Sequence, residues 1–283
     1  GAGRLARRPD QMHKGQAGRV LVVAGRDEYA GAALLATRAA MVAGAGLVTL
    51  ATHADVTPRV VQVIQEAMAS ASLSEPWEGA RREELNALLD VADTVAIGPG
   101  MGRSDTVREV VEVVLARGTS PVVVDADALH AMATPSGIEA LSAAAARRAI
   151  VITPHPGEMA TLCGVTTAEV MDAPLDMAKT FAREHGVVVV LKTATTIVAT
   201  PDGRLAINAT GNSGMASGGM GDALTGILAS LLHEVDDAFE AACVAVHAHG
   251  AAGDAARDKF GERGVLASRL IDHLGEVFQR MTA

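Results

Sequence analysis

A glycine-rich segment that ends in a carboxylate is the part of this chain best suited to chemistry. Residues 208–222 read NATGNSGMASGGMGD, which places five glycines before Asp222. Glycine allows positive φ and lets successive amides turn toward one point, and an apolar helix expected to begin near Gly219 adds the positive end of its dipole. The segment therefore predicts an anion site, most simply for phosphate. Asp222 either caps the helix or takes a proton from a hydroxyl that meets the phosphate, and the local pattern leaves both roles open.

Acidic and basic side chains follow two short apolar runs elsewhere in the chain. Asp125 and Asp127 come directly after one run, with His130 just beyond. Paired carboxylates at a strand end favour metal-bound water, hydroxyl binding or general-base work, while simple helix capping is an equally good interpretation. Lys192 follows a later run, and together with the hydroxyl groups of residues 193–196 it is a natural contact for phosphate.

A histidine between two prolines follows another apolar run. In the segment TPHPGE at 153–158, the prolines fix the backbone around His155 and place Glu158 in the first turn of the next helix. This stiffness favours a ligand contact for His155. The run GPGMG at 98–102 offers free amides ahead of a helix, although glycine turns at strand ends are common and the signal is weak by itself.

The elements that must position these groups alternate along the chain. Apolar, β-branched runs predict strands at 19–24, 46–51, 94–98, 121–125, 149–153 and 187–191, followed by a ribbon at 195–200 and 204–208. Helical patterns lie at about 30–43, 55–68, 104–117, 137–147, 157–163, 174–185, 219–232, 237–258 and 265–280. Continuous apolar strands flanked by helices indicate an α/β fold with a mostly parallel central sheet and helices on both faces. Ligands of such sheets bind beyond the carboxyl ends of the strands, where the candidate residues lie.

Composition limits the classes of function. The 283 residues are 49% hydrophobic and 20% charged, with no linker-like segment, so we expect a single domain. A net charge of −9 without a basic cluster argues against a nucleic-acid partner. The apolar runs are strand-sized and no apolar leader begins the chain, so we expect no membrane association and a cytoplasmic location.

Several residues and motifs are assigned no catalytic function. Cys163 and Cys243 lie far apart in apolar helical contexts and are expected to be buried rather than paired or metal-bound. His247 and His249 are two residues apart on one predicted helix, so they cannot form an i, i+4 metal pair. Neither a Walker A sequence nor a G-x-G-x-x-G fingerprint is present, which argues against a P-loop enzyme and a hydride-transferring Rossmann enzyme.

Eight short motifs in order together resemble the ADP/ATP-dependent NAD(P)H-hydrate dehydratase family. They are His13-Lys-Gly, Val22-Val-Ala-Gly25, Gly31-Ala-Ala, Gly44-Ala-Gly-Leu-Val, Gly98-Pro-Gly-Met-Gly102, Val124-Asp-Ala-Asp-Ala-Leu, Thr153-Pro-His-Pro-Gly-Glu158 and the 208–222 segment. The resemblance runs from about residue 13 to 279 and implies a ribokinase-like fold. We therefore expect one such domain over 13–283, preceded by a flexible N-terminal segment over 1–12.

The resemblance also implies a reaction. NADHX or NADPHX, the hydrated forms of the reduced nicotinamide cofactors, would be phosphorylated on the ring hydroxyl by ADP or ATP, and loss of phosphate would restore the dihydropyridine. Asp222 would act as the base, and Gly219 and Gly221 would belong to the anion hole. Glu158 resembles the glutamate by which ribokinase-like enzymes organise Mg²⁺ through water.

The family pattern further implies two sets of binding residues. The damaged dinucleotide is expected on Ala40, Gly102, His155 and Asp222. The adenine nucleotide is expected on Lys192, Thr193, Ala194, Thr195, Thr196 and Gly221. Two positions depart from the pattern, because Thr193 stands where the family commonly has glycine and His130 stands where it commonly has asparagine.

Partners follow from the same resemblance, and two other functions remain open. Many relatives carry a fused N-terminal epimerase domain, so this chain is expected to act on one epimer and to rely on an NAD(P)HX epimerase, or on spontaneous epimerisation, for the other. Apolar helices with few charges favour a homo-oligomer, with a tetramer preferred.

A small-molecule kinase of the same fold, such as a hydroxyethylthiazole kinase, would keep the Gly-x-Gly-Asp loop. A catalytically silent nucleotide-binding protein would be expected to have lost Asp222 or Lys192, and both are present.

Overall fold

A single nine-stranded sheet forms the centre of the protein, for which a computed structural model describes residues 5–282. The strands are β1 (Arg19–Val23), β2 (Leu47–Ala51), β3 (Met68–Ser70), β4 (Thr94–Ile97), β5 (Val122–Val124), β6 (Ile150–Ile152), β7 (Val188–Leu191), β8 (Ile197–Ala199) and β9 (Leu205–Ile207). They lie in the order β3-β2-β1-β4-β5-β6-β7-β8-β9. The pairs from β3 to β7 are parallel, and β8 and β9 add an antiparallel ribbon.

Helices cover both faces of this sheet. They are α1 (Ala30–Val42), α2 (Thr57–Val63), α3 (Ala80–Val91), α4 (Asp105–Ala116), α5 (Ala126–Met132), α6 (Pro135–Ala145), α7 (Pro156–Cys163), α8 (Thr167–Asp172), α9 (Pro174–His185), α10 (Met220–Glu234), α11 (Ala238–Phe260) and α12 (Ala267–Met281). Because successive side chains of a strand point to opposite faces, Val20 and Val22 enter one apolar cluster with α1, α10, α11 and α12, while Leu21 and Val23 enter a second cluster with α3 to α9. The prediction of a mostly parallel sheet covered on both faces is confirmed.

The largest differences from the predicted elements lie at one edge of the sheet. A helix was expected over 55–68, but α2 ends at Val63 and residues 68–70 form the edge strand β3. Pairing with β2 decides this strand, because a three-residue sequence is too short to show a period of its own. The helices α3, α5 and α8 are also absent from the prediction. Two of these have only six or seven residues, which is too short for a clear helical period.

The N-terminal segment makes contacts with the domain where the structure describes it. Residues 1–4 of the segment predicted over 1–12 lie outside the described residues. Leu5 is buried, and the Arg8 guanidinium donates hydrogen bonds to the Gly44 carbonyl and to Glu234. The flexibility of the whole segment stays a prediction. Across residues 5–282, none of the helices is both long and apolar enough to span a bilayer.

Candidate active site

A buried ion pair lies where the carboxyl ends of β5 and β7 meet the first turns of α10. Lys192 Nζ is 2.7 Å from Asp125 Oδ1, and the Thr225 hydroxyl donates a hydrogen bond of 2.7 Å to Asp125 Oδ2. Burial alone would raise the pKa of Asp125, but the Lys192 charge and hydrogen bonds from Lys192, Thr225 and Thr153 lower it below its usual value. Burial opposes the charge of Lys192, yet Asp125 and Glu158 raise its pKa. Both members of the pair are therefore charged at neutral pH.

The start of α10 presents amides that the fold leaves unpaired. The N–H groups of residues 218–222 have no acceptor among residues 5–282, and the first bonded amide is that of Ala223, which donates to the Gly219 carbonyl. Gly219 has φ of +91°, a left-handed conformation that favours glycine. A methyl group on Gly221 would lie 3.3 Å from Lys192 Nζ. This amide cluster, residues 218–222, therefore adjoins the Lys192 ammonium and can hold an anion.

Asp222 combines partial burial with surrounding negative charge. Burial, and then the charge of Asp125, raise the pKa of Asp222 to about 6, with smaller upward contributions from Asp127 and Glu158 and a downward one from Lys192. The Asp222 carboxylate accepts no hydrogen bond from residues 5–282, and α10 has no side-chain cap. The geometry therefore favours the proton acceptor over the helix cap. A carboxylate with this pKa is ionised at neutral pH and still basic enough to take a proton.

His155 and Glu158 form a capping box at the start of α7. His155 Nδ1 accepts hydrogen bonds from the amides of Gly157 (3.0 Å) and Glu158 (3.2 Å), and Glu158 Oε2 accepts one from the His155 amide (2.8 Å). Since Nδ1 accepts, the neutral ring carries its proton on Nε2. Nε2 lies 3.4 Å from Glu158 Oε1 on a half-exposed ring, so a ligand can reach this N–H in competition with Glu158. Glu158 Oε2 also lies 3.9 Å from Lys192 Nζ, and burial, opposed by Lys192, raises the pKa of Glu158.

Backbone strain separates the two acidic side chains after β5. Ala126, between Asp125 and Asp127, has φ of +50°, an uncommon value for a residue with a side chain. Asp125 enters the buried ion pair, while Asp127 Oδ2 accepts a 2.7 Å hydrogen bond from the Gly102 amide. The sequence left these carboxylates open between capping and chemistry, and the structure gives each a different partner.

Three open clefts meet beside these residues. Their volumes are about 500, 600 and 280 Å³, and Arg103 and Asp127 line all three. Gly102 lines the two larger clefts, and His155 and Glu158 line the smallest. Open clefts of this combined size are large enough for an extended ligand.

Most of the predicted site residues lie close to one another in the structure, and Ala40 is the exception. Direct contacts or shared clefts connect Asp125, Lys192, Gly221, Glu158, His155 and Gly102. Thr193, Ala194, Thr195 and Thr196 form a partly exposed turn directly after Lys192, closed by hydrogen bonds between the Thr193 hydroxyl and Thr195. Ala40, a residue of α1, is fully buried where α1 packs against α10 and lines none of the three clefts, so its contact with the dinucleotide stays a prediction. The small residue of α1 that lines a cleft beside Gly102 is Ala32.

Sequence reasoning missed two residues that support the amide cluster. Thr225 lies three residues after Asp222, so the helical period was the signal that could have linked it to the site. His249 Nε2 donates a 3.0 Å hydrogen bond to the Met220 carbonyl, and burial lowers the pKa of this histidine to about 4. It is therefore neutral, and no sequence pattern links it to residue 220. His130 lines two of the clefts.

Comparisons with known proteins agree with this geometry. Residues 20–276 match the family model for NAD(P)H-hydrate dehydratase. The ADP-dependent (S)-NAD(P)H-hydrate dehydratase of Bacillus subtilis is 34% identical over 276 residues, which cover 98% of this chain and 94% of that protein. A crystal structure of ADP/ATP-dependent NAD(P)H-hydrate dehydratase from Bacillus subtilis, co-crystallised with ATP/Mg²⁺, has a TM-score of 0.84 and 33% identity, and the match covers 98% of this chain and 95% of that one. The ribokinase-like fold expected from the motifs is confirmed.

A longer relative is similar to this chain over about half of its own length. The bifunctional NAD(P)H-hydrate repair enzyme of Moorella thermoacetica is 41% identical over 280 residues, which cover 98% of this chain and 52% of that protein. The chain thus spans about half the length of this bifunctional relative.

Proposed function

This chain belongs to the NAD(P)H-hydrate dehydratase family, and we propose that it restores NADH and NADPH from NADHX and NADPHX in a reaction driven by ADP or ATP. The observation that carries the proposal is the position of Asp222 in the first turn of α10, within a cluster of unpaired amides and near the Lys192 ammonium. A base and an anion site are thereby combined on one helical turn. This is the pair of functions that transfer of a phosphoryl group to a hydroxyl requires.

The chemistry proceeds in two steps. Asp222 takes the proton of the substrate ring hydroxyl, whose oxygen forms a bond to the terminal phosphorus of the nucleotide while the bond to the departing nucleotide breaks. The amides of residues 218–222 donate to the oxygens of the transferred group, where charge accumulates. Phosphate then leaves with the electron pair of the C–O bond, a proton is lost from the adjacent ring carbon, and the ring double bond is restored. With ADP, the products are AMP, phosphate and the reduced cofactor.

The two ligands, the hydrated dinucleotide and the adenine nucleotide, are assigned to different parts of the site. We assign the dinucleotide to the clefts beside Gly102, with His155 donating from Nε2, and the nucleotide to the turn at 193–196 and Gly221. What supports this division is that Lys192 lies beside Gly221, whereas the Gly102 amide donates to Asp127 and Gly102 lines the two larger clefts. Ala40 is left out of the proposed contacts because it is buried.

We propose that Mg²⁺ accompanies the nucleotide and that Glu158 holds it through water. Four carboxylates, those of Asp125, Asp127, Glu158 and Asp222, act in this region together with one ammonium, that of Lys192. Among residues 5–282, no three His, Cys, Asp or Glu side chains converge closely enough to hold a metal ion directly, so a hard divalent cation that neutralises phosphate charge would be held largely through its water. Lys192 contacts Asp125 and lies 3.9 Å from Glu158, which favours contact through water over direct coordination at Glu158.

An NAD(P)HX epimerase is the proposed functional partner. Support comes from the bifunctional repair enzymes, of which this chain matches about half. The homo-oligomer, with a tetramer preferred, and the cytoplasmic location stay predictions.

Recovery of absorbance in the reduced-nicotinamide band tests the function. Purified protein is given NADHX and Mg²⁺ with ADP, with ATP, or with no nucleotide. We expect recovery only when a nucleotide is present, and the comparison ranks the two phosphate donors. If nucleotide binds and no absorbance returns, the proposal fails and a kinase for another alcohol becomes the better explanation.

A further inference from the structure

The buried ion pair between Asp125 and Lys192 lies against the amide cluster, and its carboxylate, Asp125, has no role yet in the reaction. We propose that Asp125 is a positioning residue, which fixes the Lys192 ammonium against the first turn of α10 and balances the charge around Asp222. The inference rests on the proposed function for the catalytic role of Asp222. It adds to the proposed site a residue that contacts neither the substrate nor the transferred phosphoryl group.

The contacts of Asp125 hold its carboxylate in one place. One oxygen pairs with Lys192 Nζ at 2.7 Å and the other accepts from the Thr225 hydroxyl at 2.7 Å, and the side chain is 2% exposed. Because Thr225 belongs to the second turn of α10, Asp125 joins Lys192 to the helix that carries Asp222. A carboxylate with both oxygens engaged and almost no exposed surface has little freedom to move.

Lys192 is thereby held at the anion site. A methyl group on Gly221 would lie 3.3 Å from Lys192 Nζ and 3.6 Å from Asp125 Oδ2, so the pair packs directly against that turn. Apart from Asp125, no group in residues 5–282 accepts a hydrogen bond from the ammonium, since Glu158 is 3.9 Å away. An ammonium has three N–H donors, and the remaining two are free for an anion at the amide cluster.

Charges from several elements act on Asp222. Asp125 and Asp127 follow β5, Glu158 lies on α7, and Lys192 follows β7, with the three carboxylates raising and the ammonium lowering the pKa of Asp222. From α11, His249 contacts the same turn through Met220 and is neutral because burial holds its pKa near 4. The members of the ion pair therefore act on Asp222 with opposite signs.

Opposite substitutions must then have opposite effects. Asp125→Asn removes a neighbouring negative charge and should lower the pKa of Asp222, whereas Lys192→Met removes the positive charge and should raise it. Each shift should reach about one pH unit, the size typical of a close charge. The double variant removes both charges and should return the pKa of Asp222 toward that of the wild-type protein.

A carboxyl-carbon NMR titration measures the pKa of Asp222 without requiring turnover. The Asp222 signal is identified by its loss in Asp222→Asn, and the titration is run on the wild type, the two single variants and the double variant. Turnover of NADHX with ADP is measured on the same proteins. We expect Asp125→Asn to lower turnover about tenfold or more with the acid limb of its pH profile moved to lower pH, and Lys192→Met to move that limb to higher pH.

Asp90→Asn is the matched control, because Asp90 forms an exposed ion pair with Arg117 away from the site. It should change neither the Asp222 titration nor turnover. Unchanged Asp222 titrations in both single variants, with only a loss of thermal stability, would overturn the inference and leave the pair purely structural. The wild-type protein could also fail to convert NADHX while the two single variants still shift the pKa of Asp222 in opposite directions. That result would support the positioning role and reject the proposed function.

Discussion

Asp222 is a carboxyl group whose surroundings oppose its charge. Burial is the main cause, and nearby Asp125 adds to it, so that the pKa of Asp222 rises to about 6. An acid with its ordinary pKa would be ionised at neutral pH but would accept a proton poorly, whereas one near 6 is both ionised and more basic. The residue thus has the properties of a general base by virtue of its position in the fold.

The rate of turnover should follow the titration of Asp222. The base is active only when deprotonated, so turnover should rise with pH through about 6 and level off above it. The measurement is kcat with ADP at saturating NADHX across this range, corrected for the acid instability of the substrate. An acid limb near the ordinary pKa of a carboxylate would show that another group controls the rate.

Asp222→Asn should separate activity from stability. Turnover should fall by about 10²–10⁴, the usual contribution of a general base, while nucleotide binding by calorimetry is retained. The folded state raises the pKa of Asp222 from its ordinary value of 3.8 to about 6, so the fold loses stability as pH rises between these two values, and the whole loss is present above about 6. The variant should therefore be more stable than the wild type by roughly 1–3 kcal/mol at mildly alkaline pH and no more stable at acid pH. Unchanged turnover would reject the assignment of Asp222 as the base.

At the scale of single elements, His155 at the start of α7 is expected to cap the helix and to contact a ligand. His155 caps the helix through Nδ1, which leaves Nε2 as a donor for a ligand. His155→Asn keeps a good capping residue and removes the ring, whereas His155→Ala removes both. We expect thermal unfolding to show a loss of about 1 kcal/mol for the alanine variant and less for asparagine. The KM for NADHX should rise about 3- to 10-fold in both, and a rise in the alanine variant alone would mean that capping is the only role of His155.

The first turn of α10 leaves little space beside residue 221. A methyl group there would lie 3.3 Å from Lys192 Nζ, and helical propensity by itself would favour alanine. Gly221→Ala should therefore lower turnover about tenfold without unfolding the protein, because the Lys192 ammonium must shift relative to the amide cluster to accommodate the methyl group. Gly275→Ala in α12 has open space and should leave kinetics unchanged. Equal activity in the two variants would show that the contact is unimportant.

At the scale of the whole molecule, a close helix crossing places α10. A methyl group on Gly226 would lie 2.1 Å from the Ala36 carbonyl oxygen of α1, so the two backbones nearly touch. Gly226→Ala should lower the free energy of unfolding by about 2 kcal/mol or more and reduce turnover with it, because α10 carries Asp222 and the amide cluster. Gly31→Ala at the start of α1 meets no atom within 4 Å and serves as the control. A stable Gly226→Ala protein with wild-type kinetics would contradict this coupling between packing and site.

Much of this organisation could be predicted from the sequence, because the signals are local. Apolar, β-branched runs such as Val188–Leu191 indicated buried parallel strands, and the glycines before Asp222 indicated an anion site at a helix start. Both depend on the conformational preferences of neighbouring residues. The motifs around Gly102 and His155 also indicated the family, and the comparisons confirm it.

Contacts between distant residues were decided by the tertiary structure alone. Lys192 was expected to contact phosphate, and only the fold shows that it also pairs with Asp125, which is 67 residues away in the sequence. Thr225, 100 residues after Asp125, contacts the same carboxylate. The raised pKa of Asp222 depends on the same assembly, since burial and neighbouring charge do not exist in the unfolded chain. Ala40 was expected at a ligand, but packing between α1 and α10 buries it. Local sequence thus determined the strands, helices and glycine turn, while long-range packing decided which charges meet and how strongly they act.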